Sequence, residues 1–331
     1  MKTHPAAVLV ASLVTGCGGA EEVGPEPDVL ASELRDLAGY DVDQDGVTIG
    51  NREGIYRLAD TGDALELVEE AEDVCAIESV DGVVLACLAN RLRRVGPADG
   101  FFANFNQGGT PTGCIALAEG SGSIFLGYRG FDRSIVASAE PEAFRLASDA
   151  TRSVLNEVVL VTGDTEAIYF IDEPSGSSVA QLYRSPRDGT DVVALTEVGL
   201  NPTGLAIDAN SVYWGEAGIA GTLTLFAVDK SNGLKRTVAF EPRGCGFYDS
   251  LALADGYLYF PSSVAEEEGC GGDNFFSVSR VRVEGGDIED VLAKPGMGPY
   301  RNLRVFDGRL YMIAEEAPPR FGDAILSVPV P

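Results

Sequence analysis

From Gly39 the chain reads GYDVDQDGVTIGN: an apolar strand, a tight polar turn, and a second apolar strand. The same pattern returns as VCAIESVDGVVLACLA from Val74, CIALAEGSGSIFLG from Cys114 and VVLVTGDTEAIYFID from Val158. It continues as GLAIDANSVYWGE from Gly204, SLALADGYLYFP from Ser250 and NLRVFDGRLYMIA from Asn302. The starts lie roughly 35 to 55 residues apart, a period that belongs to arrays of compact β units. Asp-Gly and similar pairs in the turns supply the positive φ that a two-residue hairpin needs.

Each hairpin is followed by a variable loop and a third strand, such as GIYRLA from Gly54, AQLYRSP from Ala180 and SVSRVRV from Ser277. A second turn (SPRDGT, DKSNGL, VEGGDI) leads to a fourth: DVVALTE from Asp191, LKRTVAF from Leu234, IEDVLAK from Ile288. Four antiparallel strands per repeat make a β-propeller blade. The pattern predicts an all-β, seven-bladed propeller over residues 28–331, with six blades as the alternative if one copy is misread. An open solenoid does not fit, because the units are long and lack a short rung repeat. The seventh copy stops after its third strand, DAILSVPVP, so DVLASELRD from Asp28 is expected to supply the fourth and close the ring.

The stretch DVDQDG (41–46) reads like the start of a calcium loop. An EF-hand beginning at Asp41 would put Ile49 at its ninth position and Arg52 at its twelfth, where a bidentate glutamate belongs. The repeat explains the segment better, as the first hairpin of the first blade, with Asp45-Gly46 as its turn. Asp41 alone stays unexplained, since an aligned copy has Ala206 there.

Charge and composition narrow the functions. The formal net charge is −27, with 45% hydrophobic residues and 40 glycines. Such a chain repels phosphate backbones and anionic headgroups, which argues against nucleic-acid or membrane-surface binding. It is too apolar for a disordered chain.

The N-terminus predicts export. Lys2 and His4 precede an apolar run, Ala6 to Val14, too short to span a bilayer. The next residues, Val14-Thr15-Gly16-Cys17, resemble the lipobox of bacterial lipoproteins. The resemblance implies a signal peptide at 1–16, lipid on Cys17, and a flexible acidic tether at 17–27. Gly18 in place of aspartate points to the outer membrane or cell surface rather than the inner membrane under the common enterobacterial rule. The lipid would be the sole membrane contact. His4 is the one histidine, so the mature chain could form no Ser-His-Asp triad, Cys-His pair or histidine-ligated zinc site.

The segment VYWGEAGIAGTLTLFAVDKSNG, Val212 to Gly233, resembles the repeats of YWTD, TolB-like and NHL-type propellers. The full Tyr-Trp-Thr-Asp motif is absent, and the chain's single tryptophan sits in this copy. The resemblance implies the fold over about residues 28–331 and no particular activity. Tyr213 and Trp214, inside a strand, are expected in the core between blades.

Export makes disulfides reasonable. Cys75 and Cys87 flank the Asp81-Gly82 turn on neighbouring strands and are expected to pair. Cys245 and Cys270 are expected to bridge two loops on one face, leaving Cys114 as a buried thiol; Cys114 with Cys75 or Cys87 is the alternative.

Hairpin turns share one face, short and uniform. The opposite face carries connectors and loops of variable length, where binding functions usually sit. Candidates there are Tyr128, Arg129, Asp132, Asp172, Glu173, Glu216, Tyr300, Arg301, Glu315, Glu316 and Arg320. Glu266, Glu267 and Glu268 form a weak calcium candidate, and no other cofactor is expected. The resulting expectation is a monomeric, non-catalytic module binding a protein, glycan or small molecule. A lyase or hydrolase using carboxylates at the channel mouth is the rival, and a calcium-stabilised scaffold the third reading.

Overall fold

The computed structural model describes residues 24–330 apart from 35–36, 59–64, 73, 81–82, 89–90, 96–99, 105–113, 121–122, 130–133, 141–144, 150–157, 174–178, 188–190, 200, 219–220, 243–249, 265–274, 295–296 and 317–321. The backbone alone is described for the remainder of 100–149 and for 33, 79–80, 91–92, 263–264, 275, 297–298 and 316.

Among the described residues, twenty-eight strands form seven four-stranded antiparallel sheets. In chain order the first strands of these sheets are Leu37–Asp43, Val74–Val80, Cys114–Gly120, Val158–Gly163, Pro202–Ile207, Ala252–Ala254 and Met297–Phe306. Each packs against the first strand of the next, and the last packs against the first. They are therefore the inner strands of a closed ring, and the sheets are blades 1 to 7. The ring has seven blades, not six. Among the described residues no helix is long and apolar enough to cross a membrane.

Blade 7 is built from both ends of the chain. Its outer strand, Asp28–Leu34, pairs antiparallel with Asp323–Pro329, setting Asp28 opposite Ser327 and Leu34 opposite Asp323. This is the expected closure. Ahead of that strand the chain lies on blade 6, where Glu26 and Lys294 form an ion pair at 2.5 Å. Gly24, at φ +92°, passes so close that a Cβ would sit 1.9 Å from the Val291 carbonyl oxygen.

The core lies between blades. Period-two alternation gives each sheet two apolar faces, and each is buried against a neighbour. Between blades 7 and 1 lie Tyr40, Ile49, Ile313 and Ile325. Between blades 4 and 5 lie Tyr169, Ile171, Leu182 and Trp214, which is fully buried. Tyr213 is buried between blades 5 and 6, so both aromatics of the Val212 repeat are core residues, as expected.

Turn chemistry follows the sequence closely. In blades 6 and 7 the turns Asp255-Gly256 and Asp307-Gly308 have positive φ at both positions, the arrangement that matches strand twist. Blade 1 differs by one residue from expectation. Asp43 pairs with Gly46, so Gln44 and Asp45 make the turn, and Asp43 Oδ1 accepts the Asp45 N–H at 2.8 Å.

The Cys75–Cys87 bridge is not formed. Cys75 keeps its thiol and is exposed, whereas Cys87 is fully buried and disulfide-bonded to a partner outside the described side chains. The cause is a β-bulge. Val74 pairs with Leu88 and Ala76 with Cys87, leaving Cys75 as the extra residue. Its Sγ donates to the Cys87 carbonyl at 3.1 Å instead of meeting the other sulfur. Inner strands of blades 1, 3, 4 and 5 shift register at the corresponding place. Cys17 and the Cys245–Cys270 pair lie outside the described residues.

Candidate functional site

Register places Asp41, Glu78 and Arg304 at one equivalent position on the inner strands of blades 1, 2 and 7. The other four blades carry Ala118, Thr162, Ala206 and Ala252 there. Arg304 Nη1 lies 3.0 Å from Asp41 Oδ1 and 2.8 Å from Glu78 Oε2, while Nη2 bonds Glu78 Oε1. Both carboxylates are buried, at 4% and 2% exposure. Burial opposes the Arg304 charge, but Glu78 and Asp41 outweigh it and hold the guanidinium protonated far above its ordinary value. Burial likewise pushes the neighbouring Tyr40 hydroxyl well up. That hydroxyl donates to the Asn302 carbonyl at 2.7 Å. This cluster fastens blade 7 to blades 1 and 2 and accounts for Asp41.

The open site is on the hairpin-turn face, between blades 4 and 5. There a cleft of about 970 Å³ is lined by Asp164, Glu166, Tyr169, Arg184, Asp208 and Lys230, among others. Asp164 and Asp208 each close a hairpin. Asp164 Oδ1 accepts the N–H of Glu166 and of Ala167, both at 2.9 Å. Asp208 Oδ1 accepts those of Asn210 and Ser211, both at 2.7 Å.

Lys230, from the outer turn of blade 5, ties these hairpins together. Its Nζ donates to Asp164 Oδ2 at 2.7 Å and to the Asp208 carbonyl at 2.5 Å, and lies 4.9 Å from the Tyr169 ring centre. Burial alone would raise the Asp164 carboxyl, but the Lys230 bond and the two backbone donors hold it below the usual range. Tyr213 donates to Asp208 Oδ2 at 2.6 Å, and burial with that bond pushes its hydroxyl up to about 12. Arg184 sits opposite Tyr169 across the sheet and bonds its hydroxyl, while Arg184 Nε is buried with no partner among the described residues.

The expected loop-face residues are mostly tied into the fold. Asp172 and Tyr300 are buried, and the Tyr300 hydroxyl meets the Lys294 backbone. Glu216 Oε1 accepts from Trp214 Nε1 at 2.9 Å and lies 3.2 Å from Lys235 Nζ. Arg301 pairs with Asp323 at 2.8 Å. Glu173 is half-buried and Glu315 is exposed. The side chains of Tyr128, Arg129 and Glu316 are outside the described set, as are residues Asp132, Glu266, Glu267, Glu268 and Arg320 altogether. Among the described residues no group of three or more His, Cys, Asp or Glu is arranged to hold a metal.

The turn-face cleft escapes a linear reading because its charged residues come from separate turns and a third strand. One signal was present: an aspartate directly follows the inner strand in both blades, at 164 and 208.

No protein-family model matches the chain, and no curated protein matches it in sequence. Solved structures match it in shape. An oligogalacturonate lyase in complex with manganese superimposes with a TM-score of 0.61 at 10% identity, covering 94% of this chain and 98% of that one. The AfRom2 CNH domain gives 0.58 at 13% identity, covering 92% and 99%. The WD40 domain of Toxoplasma gondii coronin gives 0.54 at 14%, covering 94% and 85%. The fold is a β-propeller. At these identities the likeness shows architecture alone, because propellers carry enzymes and binding scaffolds alike.

Proposed function

We propose that this chain is a non-catalytic binding module, held in the bacterial envelope by lipid on Cys17, that takes a small polar ligand in the turn-face cleft. The observation that carries the reading is the state of the cleft's side chains. Asp164, Lys230 and Asp208 are already locked by hydrogen bonds between two rigid blades, so ordering them would cost a ligand little entropy. The cleft is also open and polar, as a recognition site for a hydrogen-bonding ligand should be.

Thermal shift over a panel of amino acids, sugars, polyamines and short peptides tests the site. A compound should raise the melting temperature of the intact protein but not of Lys230→Met. A panel that shifts only through the loop face, lost on deleting residues 262–274, would move the site to that face. The anchor is tested separately. Mature protein should begin at Cys17 with added lipid mass, and Cys17→Ser should release it from membranes.

A further inference from the structure

We infer that the cleft recognises a short zwitterionic peptide, an inference that rests on the cleft being the binding site. The groups lining it divide into satisfied and unsatisfied. Lys230 is spent on Asp164, the Asp208 carbonyl and the Tyr169 ring. Asp208 has both carboxylate oxygens engaged, by two backbone N–H groups and the Tyr213 hydroxyl. Two charged side chains retain capacity for a ligand.

Arg184 is the first. Its guanidinium lines the cleft, and its Nε is a buried donor with no acceptor among the described residues. A carboxylate is the acceptor that satisfies such a fork best. Glu166 is the second, an exposed carboxylate on the hairpin rim of the same cleft. Among the described residues its hydrogen bonds are made by its backbone, to Asp164 and Arg187. An ammonium is its natural complement.

Both side chains line the same cleft. A peptide carboxylate on Arg184 would direct its ammonium toward Glu166 on the hairpin rim. The volume of about 970 Å³ exceeds what one amino acid fills. The net negative charge of the chain, −27, disfavours a ligand that is anionic throughout.

Calorimetric titration of the intact protein with Ala-Leu, N-acetyl-Ala-Leu and Ala-Leu amide tests each contact on unmodified protein. Ala-Leu should bind tightest, with the acetylated and amidated forms each about tenfold weaker or worse. Arg184→Met should abolish the preference for acid over amide, and Glu166→Gln the preference for free over acetylated amine. The amide binding as tightly as the acid would overturn the inference, as would Glu166→Gln keeping full discrimination. If the dipeptides fail but another panel compound binds in a Lys230-dependent way, the ligand class is wrong and the site stands. If no compound binds through Lys230, both fall.

Discussion

Arg304 shows how much one side chain can carry. It is the common partner of two buried carboxylates, and removing one member of such a cluster leaves the others charged and dry. Arg304→Met should cost about 3–5 kcal/mol in urea unfolding. A loss below about 1 kcal/mol would show the cluster to be well solvated by the channel. Adding Asp41→Ala and Glu78→Ala to Arg304→Met should recover part of the loss, because the uncompensated charges go with them. Asp41 was the one residue of DVDQDG that no local rule explained. Its reason is two other blades, brought beside it only when the ring closes.

Hairpins were legible because strand alternation and turn chemistry are local. Asp255-Gly256 and Asp307-Gly308 behave as their residue types require. The bulge at Cys75 was not legible, since neither Cys75 nor its neighbours are glycine and the extra residue only appears against its partner strand. One extra residue in the inner strand was enough to turn a reasonable disulfide into a thiol on one side and a buried sulfur on the other. The chain has six cysteines, so Cys87 must bond Cys17, Cys114, Cys245 or Cys270. Cys114 opens the inner strand of blade 3, which packs on the first two strands of blade 2. Non-reducing peptide mapping should therefore find Cys87 joined to Cys114, with Cys75 alkylated in the native protein. A peptide joining Cys87 to Cys270 or Cys245 would refute that pairing.

Across the whole molecule the repeat places tyrosines alike. Tyr169, Tyr213, Tyr259 and Tyr311 hold one register position on the second strands of blades 4 to 7. Burial raises the hydroxyl of each, Tyr213 to about 12, and raises Tyr40 and Tyr300 as well. A raised value means the folded state holds its proton more tightly than the unfolded chain. The associated stability is complete below the unfolded value of about 10 and is lost as pH climbs through the folded ones. Melting temperature should fall steeply above about pH 10, with tyrosinate absorbance near 295 nm rising in step with unfolding. A native chain whose buried tyrosines ionise freely at about pH 10, with no change in melting, would contradict this. Blade number, strand number and closure could be inferred from the sequence because they repeat. The cleft could not, because the repeat says where blades lie and not which side chains remain unbonded between two of them.

The shared sheet of blade 7 has a consequence for biogenesis. Asp28–Leu34 must wait for Asp323–Pro329 before it has a partner, so a growing chain cannot complete the ring until that last strand has been synthesised. Until then the first-made strand is an unmatched edge and the interface between blades 7 and 1 is missing. An incomplete chain would remain open at that seam. Joining residue 331 to residue 28 through a short linker and opening the chain at another connector should give a circular permutant with the same ring but a different order of assembly.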